Sequence, residues 1–513
     1  MNALVLALLA CGGTPPTAMP DPTRSPDVLI VSIDTTRSDH LGFMGHTAAR
    51  TPNLDALAAQ GRVYEQATTP VPRTTPALAS LLTGQSPDRH GAREVGEKML
   101  SEQTLAGLLT NRGYTTVGIS AMSVAGPDQN LDRGFSSFHV HHDQSADELA
   151  AFALNQAAPV PVNTPMFMWV HFADPHFPYL PPERWTDQPK AAKCRAIGRK
   201  AISGKLARYK LFSNRNGMAA DVLEECSALY DAEIAFTDHA IGQLIAGLSE
   251  QGRPTPIVVF TADHGENLGE WGLFFEHGPN AHDASLRIPL VIAGPNVDPA
   301  RSKMPASIED VTPTVLSLLG GDWPSDLIFD GVDLLSTDDT KAPRSWVRAE
   351  SGSVLHARMG NHLVAGRKHR LHCINGPQYS LCNHPKKPQR LFDRKADPEL
   401  RKDVLSAHPL IAKGLAEAWT AWPVERTRQR LIRTSRFSLI DTPQLKGGYA
   451  RALYETVEDP GMIKDVQADH PQIMMELAPE LDRWHERLDA ANKPVQARSK
   501  SEEEALRSLG YIE

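Results

Sequence analysis

Short runs of apolar residues alternate with longer amphipathic stretches over the first two thirds of the chain. Apolar runs of this length that end in turn-forming residues are typical of strands buried on both faces, as in a parallel sheet. The clearest runs are residues 28–33, 115–120, 166–172, 257–260 and 288–292. The alternation predicts an α/β fold with a doubly wound, mostly parallel central sheet.

Helical signals fill the intervals between these runs. Thr51, with Pro52 next to it and Gly61 farther on, predicts a helix that Thr51 caps and that ends just before Gly61. Residues 221–252 and 308–319 have the apolar spacing of amphipathic helices. Such helices are the crossover connections that parallel strands need.

Beyond about residue 340 the pattern changes to a smaller unit that contains a duplication. Leu391-Phe-Asp recurs as Leu453-Tyr-Glu, and matching residues keep the same offset of 62 positions up to Trp422 and Trp484. Two copies are too few for a solenoid. We therefore expect a leader and linker, a main domain and a C-terminal α+β subdomain, over residues 1–24, 25–340 and 341–513, with the two copies at about 363–422 and 429–484.

Composition narrows the class of protein. The 513 residues are 41% hydrophobic and 22% charged, which describes a globular protein with an ample core rather than a disordered chain. A net charge of -8 argues against a general binder of nucleic acid or anionic membranes. Residues 190–215 are a local exception, with nine Lys or Arg and no acidic residue. This stretch is either a solvated face or a basic rim that attracts an anionic substrate.

The first residues resemble an export signal. Residues 3–10 form an apolar run far below the roughly 20 residues that span a bilayer. Leu8-Leu-Ala-Cys11 is similar to a bacterial lipoprotein cleavage box, although no Lys or Arg precedes the run. We expect an exported protein that a lipid on Cys11 anchors to a membrane, facing the periplasm or the cell surface. Ordinary secretion and a cytoplasmic protein with an apolar start are the alternatives.

The other four cysteines fit an exported protein. They fall as Cys194 with Cys226 and Cys373 with Cys382, a count and spacing compatible with two disulfides in an oxidising compartment. The sequence does not fix the pairing. A zinc cluster is the competing interpretation, but the chain contains no Cys-x-x-Cys.

Residues that can carry chemistry lie where the apolar runs end. Asp34 follows the first run, Asp263 and His264 follow the run that starts at residue 257, and Thr74 opens a helix-like stretch. Taken singly, each is ordinarily a cap or a turn residue. In an open parallel sheet, however, ligands bind outside the carboxyl ends of the strands. Two carboxylates, an imidazole and a hydroxyl in one crevice would form a metal site that holds its own nucleophile.

The sequence around these residues matches a known family. Four blocks carry the likeness: Ser32-Ile-Asp-Thr-Thr-Arg-Ser-Asp-His-Leu-Gly42, Thr51-Pro-Asn-Leu-Asp55, Thr74-Thr-Pro-Ala-Leu-Ala-Ser-Leu-Leu-Thr-Gly84 with Pro87-Asp-Arg-His-Gly91, and Asp263-His-Gly-Glu266 with Arg287-Ile-Pro-Leu290. In that order they resemble the blocks of the sulfatase family within the alkaline phosphatase superfamily. The likeness runs from about residue 27 to residue 320.

The resemblance implies a metal-dependent enzyme with Thr74 in the nucleophile position. Sulfatases have there a Cys or Ser that is converted to formylglycine, and they have Arg where this chain has Leu78. Threonine cannot become formylglycine, but a metal-bound threonine is the nucleophile of nucleotide pyrophosphatases, which this site resembles. His264 stands where sulfatases commonly have Asn and is similar to the phosphodiesterase and phosphatase branch. An imidazole ligand makes Zn or Mn more suitable than Ca or Mg.

A second group of residues is implied with a less definite role. Asp174 and His176 follow a buried-looking run and would ligate a second ion, or His176 would contact the ester group as the family's Pro-His-x-Pro histidine does. His277 lies near the family's substrate lysine or second-metal histidine, and His282 is close to it. Both are alternatively solvated loop residues. Trp271 replaces a histidine common in this block, so the chemistry of this second site differs from the family pattern.

These features favour an exported enzyme that uses one or two divalent metal ions to hydrolyse or transfer phosphate mono- or diesters. Thr74 and His176 are the expected catalytic residues, and Asp34, Thr74, Asp263 and His264 the expected ligands. The expected substrate is an anionic small-molecule, glycan or lipid ester. We expect no nucleic-acid partner and no membrane contact other than a lipid on Cys11. A sulfuric ester hydrolase of the arylsulfatase kind and a degenerate noncatalytic binding lipoprotein are the alternatives.

Overall fold

The computed structural model describes most of the main domain and part of the C-terminal region. The described residues are 25–186 apart from 143, 192–202, 218–336 apart from 271 and 272, 345–351, 406, and 428–490 apart from 444–448 and 460, with five short strands between residues 363 and 393 as backbone. The export signal, Cys11 and the boundary near residue 340 lie outside the described residues.

Ten strands lie in the main domain. They are β1 (Val28–Ile33), β2 (Gly61–Thr68), β3 (Thr115–Ser120), β4 (Ser137–Val140), β5 (Met166–Phe172), β6 (Ile257–Ala262), β7 (Asn267–Leu268), β8 (Phe274–Glu276), β9 (Leu290–Ala293) and β10 (Ala300–Ser307). Eight of them form one sheet in the order β10-β2-β9-β6-β1-β5-β3-β4. Every neighbouring pair is parallel except the two that β9 makes with β2 and β6. The predicted mostly parallel sheet is confirmed.

Helices cover both faces of this sheet. They are α1 (Pro52–Ala59), α2 (Thr74–Thr83), α3 (Pro87–His90), α4 (Leu105–Thr110), α5 (Ala146–Ala157), α6 (Ala192–Ile202), α7 (Ala220–Glu250), α8 (Asp283–Leu286) and α9 (Val311–Leu319). Successive residues of β1 point to opposite faces, so Leu29 and Val31 pack in one core with α7. Val28 and Ile30 pack in the other core with α2 and α9. This arrangement of a sheet between two helical layers confirms the predicted doubly wound α/β fold.

Helix α1 lies where the sequence predicts it, after Thr51 and before Gly61, but these two residues act differently from the prediction. Thr51 precedes the helix, but its hydroxyl accepts the Gly42 N–H (3.0 Å) and donates to Asp55 (3.1 Å), so it makes no side-chain cap. Gly61 is the first residue of β2 and not a helix stop. A Cβ there would lie 2.6 Å from the carbonyl oxygen of Ile292, and this close strand contact explains the glycine.

The end of the predicted strand 257–260 and the start of the predicted strand 288–292 also differ in the structure. β6 extends to Ala262 because its ladder with β1 continues to the end of that strand. β9 begins at Leu290, two residues later than predicted, because its antiparallel ladder with β6 starts there.

The C-terminal region forms separate antiparallel sheets. Its elements are β11 (Trp346–Glu350), β12 (Leu363–Val364), β13 (Arg367–Lys368), β14 (His372–Asn375), β15 (Tyr379–His384), β16 (Lys387–Asp393), β17 (Arg430–Thr434), β18 (Phe437–Pro443), β19 (Tyr449–Glu455) and α10 (Pro471–Ala490). The order β11-β17-β18-β19 makes a four-stranded sheet that packs its own small core with α10. This small antiparallel unit matches the predicted α+β subdomain. β16 and β19 stand 62 residues apart, the offset of the proposed duplication, which stays a prediction.

One of the two expected disulfides is present. Cys194 on α6 is bonded to Cys226 on α7, and both residues are buried. Cys373 and Cys382 face each other in the β14–β15 register, but their side chains lie outside the described residues. Among the described residues, no helix combines the length and the apolar character needed to cross a membrane.

Candidate functional site

The central strands bring the chemically active residues to one edge of the sheet. β1 lies between β6 and β5, and all three run in the same direction. Asp34 therefore stands beside Asp263 and His264 at the carboxyl ends of these strands, where ligands bind in open α/β sheets. The backbone N–H of Asp34 donates to the carbonyl of Phe172 at the end of β5, which fixes this strand end (2.8 Å).

The four predicted ligand residues meet around the His264 ring. His264 Nε2 lies 3.4 Å from Thr74 Oγ1, 3.3 Å from Asp263 Oδ2 and 3.8 Å from Asp34 Oδ1. All four side chains are fully buried. Thr74 is the first residue of α2, so its hydroxyl stands at the positive end of a ten-residue helix.

The ring of His264 is oriented for use of Nε2. Its Nδ1 lies 3.0 Å from the Gly265 carbonyl, and a carbonyl oxygen only accepts, so Nδ1 carries the hydrogen. Burial and the neighbouring His277 hold the pKa of His264 well below its usual range, so the ring is neutral. A neutral ring with hydrogen on Nδ1 presents the Nε2 lone pair to Thr74 and the two carboxylates, as a metal ligand does.

The carboxylate of Asp263 has one oxygen fixed by the backbone and one facing the site. Oδ1 accepts the N–H groups of His264 (2.7 Å) and Thr35 (3.1 Å). Thr35 has a φ of 54°, which turns the chain sharply after Asp34. Oδ2 is buried and has no hydrogen-bond partner among the described residues. Burial raises the pKa of Asp263 to about 8 despite the backbone donors. A cation at Oδ2 would relieve this cost of burying a carboxylate.

His171 is a site residue that the sequence-based prediction missed. One ring nitrogen of His171 and one oxygen each of Asp34 and Asp263 lie within 4.8 Å of one another. Ser32 Oγ accepts from Trp169 Nε1 and contacts His171 Nδ1, each at 2.9 Å, so Ser32 orients the ring. Burial lowers the pKa of His171 to about 3. The available signal was a histidine next to the end of an apolar run, in register with Ser32 on β1.

Arg73 is a second residue that the prediction missed. It precedes Thr74 directly, is buried, and lies 3.9 Å from Glu94 and 3.8 Å from Glu276. Its charge contributes to the lowered pKa of His264. A buried cation beside a helix start adds to the attraction for an anion at Thr74.

The residues of the second group divide between two places. The His277 ring lies 4.2 Å from the His264 ring and 5.5 Å from the His176 ring, between centroids. Glu266 accepts from His277 Nδ1 (3.1 Å) and contacts the Tyr179 hydroxyl (3.4 Å). His176 and His277 therefore border the site, and a buried carboxylate orients His277.

Asp174 faces a different element. Its Oδ1 accepts the N–H of Ala146 at the start of α5 (3.0 Å), and burial raises the pKa of Asp174 to about 7. His282 precedes α8, and burial lowers its pKa to about 4, so it is not the solvated loop residue considered as an alternative. Trp271 and most of the basic stretch 190–215 lie outside the described residues.

The donor set fits a divalent cation. Two carboxylates, the lone pair of His264 Nε2 and the Thr74 hydroxyl converge in a space closed to solvent, and His171 adjoins them. Mixed oxygen and nitrogen donors of this kind suit Zn or Mn. Burying the Asp263 carboxylate with Oδ2 lacking a hydrogen-bond partner among the described residues is costly, which is a physical reason for a cation at this point.

Comparison with known proteins shows similarity to hydrolases. The family model described as Sulfatase matches residues 26–321, more than half of the chain. An arylsulfatase of Clostridium perfringens is 25% identical over 449 residues, which cover 73% of this chain and 89% of that protein. A choline-sulfatase of Rhizobium meliloti is 27% identical over 353 residues, with coverages of 58% and 68%. The crystal structure of a phosphonate monoester hydrolase of Agrobacterium radiobacter has a TM-score of 0.60 at 20% identity and covers 90% of this chain and 96% of that one.

Proposed function

The chain belongs to the sulfatase family, and from that premise we propose that it is a metal-dependent hydrolase or transferase that cleaves phosphate mono- or diesters with Thr74 as the nucleophile. The observation that carries this proposal is the position of the Thr74 hydroxyl, 3.4 Å from His264 Nε2 at the start of α2. Carboxylate oxygens of Asp263 and Asp34 lie 3.3 and 3.8 Å from the same ring nitrogen.

The ligands in this proposal are Asp34, Thr74, Asp263 and His264. These residues would hold a divalent cation, which would supply positive charge to acidify the threonine hydroxyl and to neutralise the ester oxygens. The backbone N–H groups at the start of α2 and the Arg73 guanidinium then hold the transferred group against Thr74. Burial of the whole site excludes water from the first step, so that Thr74 competes with no bulk nucleophile.

His176 is the proposed contact of the ester or leaving group. Its ring lies 5.5 Å from the ring of His277, which Glu266 orients. A second metal site that includes Asp174 has less support, because the described contact of Asp174 Oδ1 is to the start of α5. His176 and His277 without Asp174 therefore act on the substrate in this proposal.

The preference for phosphate over sulfate rests on two departures from the family signature. Threonine at position 74 excludes formylglycine, and Leu78 stands where the signature has Arg. Leu78 on α2 packs in the hydrophobic core, so this position supplies no charged group to the site. The catalytic group is then a simple hydroxyl that a metal ion activates, which suits phosphoryl transfer.

A sulfuric ester hydrolase is the second candidate. The observation that favours it is the 25% identity to an arylsulfatase over 89% of that protein. A noncatalytic binding protein is disfavoured because all four predicted metal ligands are present in the sequence and lie together in the structure. The substrate of either enzyme is an anionic ester of a small molecule, a glycan or a lipid.

A substrate panel tests the proposal. Purified protein is assayed with an aryl phosphate, an aryl phosphodiester and an aryl sulfate that share one leaving group, and bound metals are measured in the same samples. We expect a higher kcat/KM for at least one phosphate ester than for the sulfate, and at least one equivalent of Zn or Mn. A higher kcat/KM for the sulfate than for both phosphate esters would overturn the phosphate proposal.

Export with a lipid on Cys11 is a further part of the proposal. The Cys194–Cys226 disulfide supports an oxidising compartment. Cells that express wild type or Cys11→Ala are fractionated and labelled with a radioactive fatty acid. We expect label and membrane association in wild type alone, and equal distribution of the two proteins would contradict lipidation.

A further inference from the structure

A second cluster of ligand-type side chains lies outside the site described above. One ring nitrogen each of His40 and His46 and a carboxylate oxygen of Asp231 lie within 4.8 Å of one another. His40 Nδ1 is 2.6 Å from Asp231 Oδ1, and His46 Nε2 is 3.8 Å from Asp231 Oδ2. These residues come from the segment after Asp34 and from the middle of α7, so the cluster joins two separate elements.

The segment that carries the two histidines is held in place by its backbone. Leu41 is fully buried, and its carbonyl accepts the N–H groups of Met44 (3.1 Å) and His46 (3.2 Å). Gly45, with a φ of 105°, closes the turn that brings His46 back towards His40, so that the two rings lie 5.4 Å apart. Asp55 on α1 also accepts the Phe43 N–H (2.8 Å). The ligand atoms are thus presented by a built turn.

Asp231 is held equally firmly. Its neighbour Tyr230 is fully buried, accepts the N–H of Arg37 (2.8 Å) and donates to the carbonyl of Thr35 (2.7 Å). These bonds set the distance between α7 and the segment 35–46. The cluster therefore needs no large rearrangement to keep its three side chains together.

The chemistry of the cluster is that of a transition-metal site. Two imidazoles and one carboxylate suit Zn²⁺ and similar dications and are a poor match for Ca²⁺ or Mg²⁺. In a tetrahedral zinc site with bonds of about 2.0 Å, ligand atoms stand about 3.3 Å apart. The distances of 2.6 and 3.8 Å end on different carboxylate oxygens of Asp231, and one ligand atom of each of the three residues lies within 4.8 Å of the other two, so small side-chain adjustments would bring the ligand atoms to that spacing. His46 Nε2 is shielded from solvent and has no hydrogen-bond partner among the described residues, as a nitrogen that serves as a ligand would.

We propose that His40, His46 and Asp231 form a binding site for a transition-metal dication such as Zn²⁺, separate from the site at Thr74. The three side chains are partly exposed, at 12%, 30% and 31%, so a water molecule completes the coordination. A bound ion fastens the segment that carries Asp34 and Arg37 to α7. Its role is to stabilise this segment, and the substrate does not touch it.

Zinc binding to the full-length chain tests this proposal. Metal-free wild type, His46→Gln and Asp231→Asn are titrated with Zn²⁺, and bound zinc is counted by native mass spectrometry. We expect each variant to bind one equivalent less than wild type at equal free zinc, or to bind it at least about 10-fold more weakly, because even the loss of an outer partner of a metal ligand costs about that much. Zinc should also raise the Tm of wild type more than that of either variant.

Two controls separate this site from other zinc binding. The rings of His139 and His141 lie 6.3 Å apart, and among the described residues no carboxylate completes a metal-type cluster with them. Replacing both with Gln should leave the zinc count unchanged. In a His264→Ala background, the further substitution His46→Gln should still lower zinc binding by the same amount. An unchanged zinc count and affinity in folded His46→Gln and Asp231→Asn would show that His40 and Asp231 form only a hydrogen-bonded pair and would overturn the proposal.

Discussion

At the scale of single residues, the strand-end pattern and the family motifs predicted the four side chains that meet at His264. Asp34, Asp263 and His264 follow apolar runs directly, and Thr74 opens a helix, so one-dimensional patterns were enough to find them. His171 was missed because it lies within strand β5, and Arg73 was missed because it stands directly before Thr74, where the sequence pattern does not single it out. Their contribution depends on pairings across β1 and β5 and on loop packing, which the sequence pattern does not contain.

Ser32 should matter for activity although it cannot reach the substrate. Its hydroxyl links Trp169 Nε1 to His171 Nδ1, so Ser32→Ala frees the His171 ring. We expect kcat/KM to fall about 10–100-fold, as for other residues that orient a side chain at a metal site. The buried indole N–H loses its acceptor, which costs about 1–3 kcal/mol of unfolding free energy.

Ser80→Ala is the matched control for this change. Ser80 Oγ makes the same kind of buried contact with His90 Nε2 (2.9 Å), but within the α2–α3 region. We expect a similar loss of unfolding free energy with kcat/KM unchanged. Equal kcat/KM values in the two variants would remove Ser32 as a positioning residue.

At the scale of elements, the buried strands were predictable and the mixed ones were not. β1, β3 and β5 are buried along nearly their whole length and have the predicted bounds. β10 is the outermost strand on one side of the sheet and β2 lies next to it, and both contain many polar residues, so periodicity alone gives them no clear signal. The antiparallel direction of β9 is likewise set by its neighbours and not by its own four residues.

The loop after β8 should be sensitive to a single methyl group. A Cβ on Gly278 would overlap Arg73 Nε, and the φ of 94° at Gly278 disfavours a side chain. Gly278→Ala should displace Arg73 and lower kcat/KM. Gly113 also has a positive φ, 82°, but open space around it, so Gly113→Ala carries the backbone strain alone. Comparable kcat/KM in both variants would contradict a role for Arg73 at the site.

At the scale of the whole molecule, buried ion pairs join the C-terminal sheet to the main domain. Arg433 on β17 pairs with Asp283, the first residue of α8, and Arg428 pairs with Glu94 (2.8 Å). The sequence predicted a smaller C-terminal unit from its change of pattern, but it did not indicate these pairs. Which charges meet across distant segments follows from packing and not from local composition.

Arg433→Ala should therefore destabilise the protein strongly. The guanidinium is 1% exposed, and its loss leaves the Asp283 carboxylate without its main partner. Breaking a buried pair from one side costs about 3–5 kcal/mol of unfolding free energy. Arg436→Ala, which removes an exposed pair with Glu455 from the same hairpin, should leave denaturant unfolding unchanged. A similar effect of both substitutions would show that the Arg433 pair does not stabilise the interface.

The central claim is that Thr74 supplies the attacking oxygen, and the turnover of Thr74→Ala tests it most directly. Activity on the best phosphate ester is measured beside bound metal, Tm and the mass of the peptide that contains residue 74 in wild type. We expect kcat/KM to fall on the order of 10³-fold or more, with the fold and most of the metal retained and an unmodified threonine in wild type. A folded, metal-loaded Thr74→Ala protein with kcat/KM within about 10-fold of wild type would contradict the account.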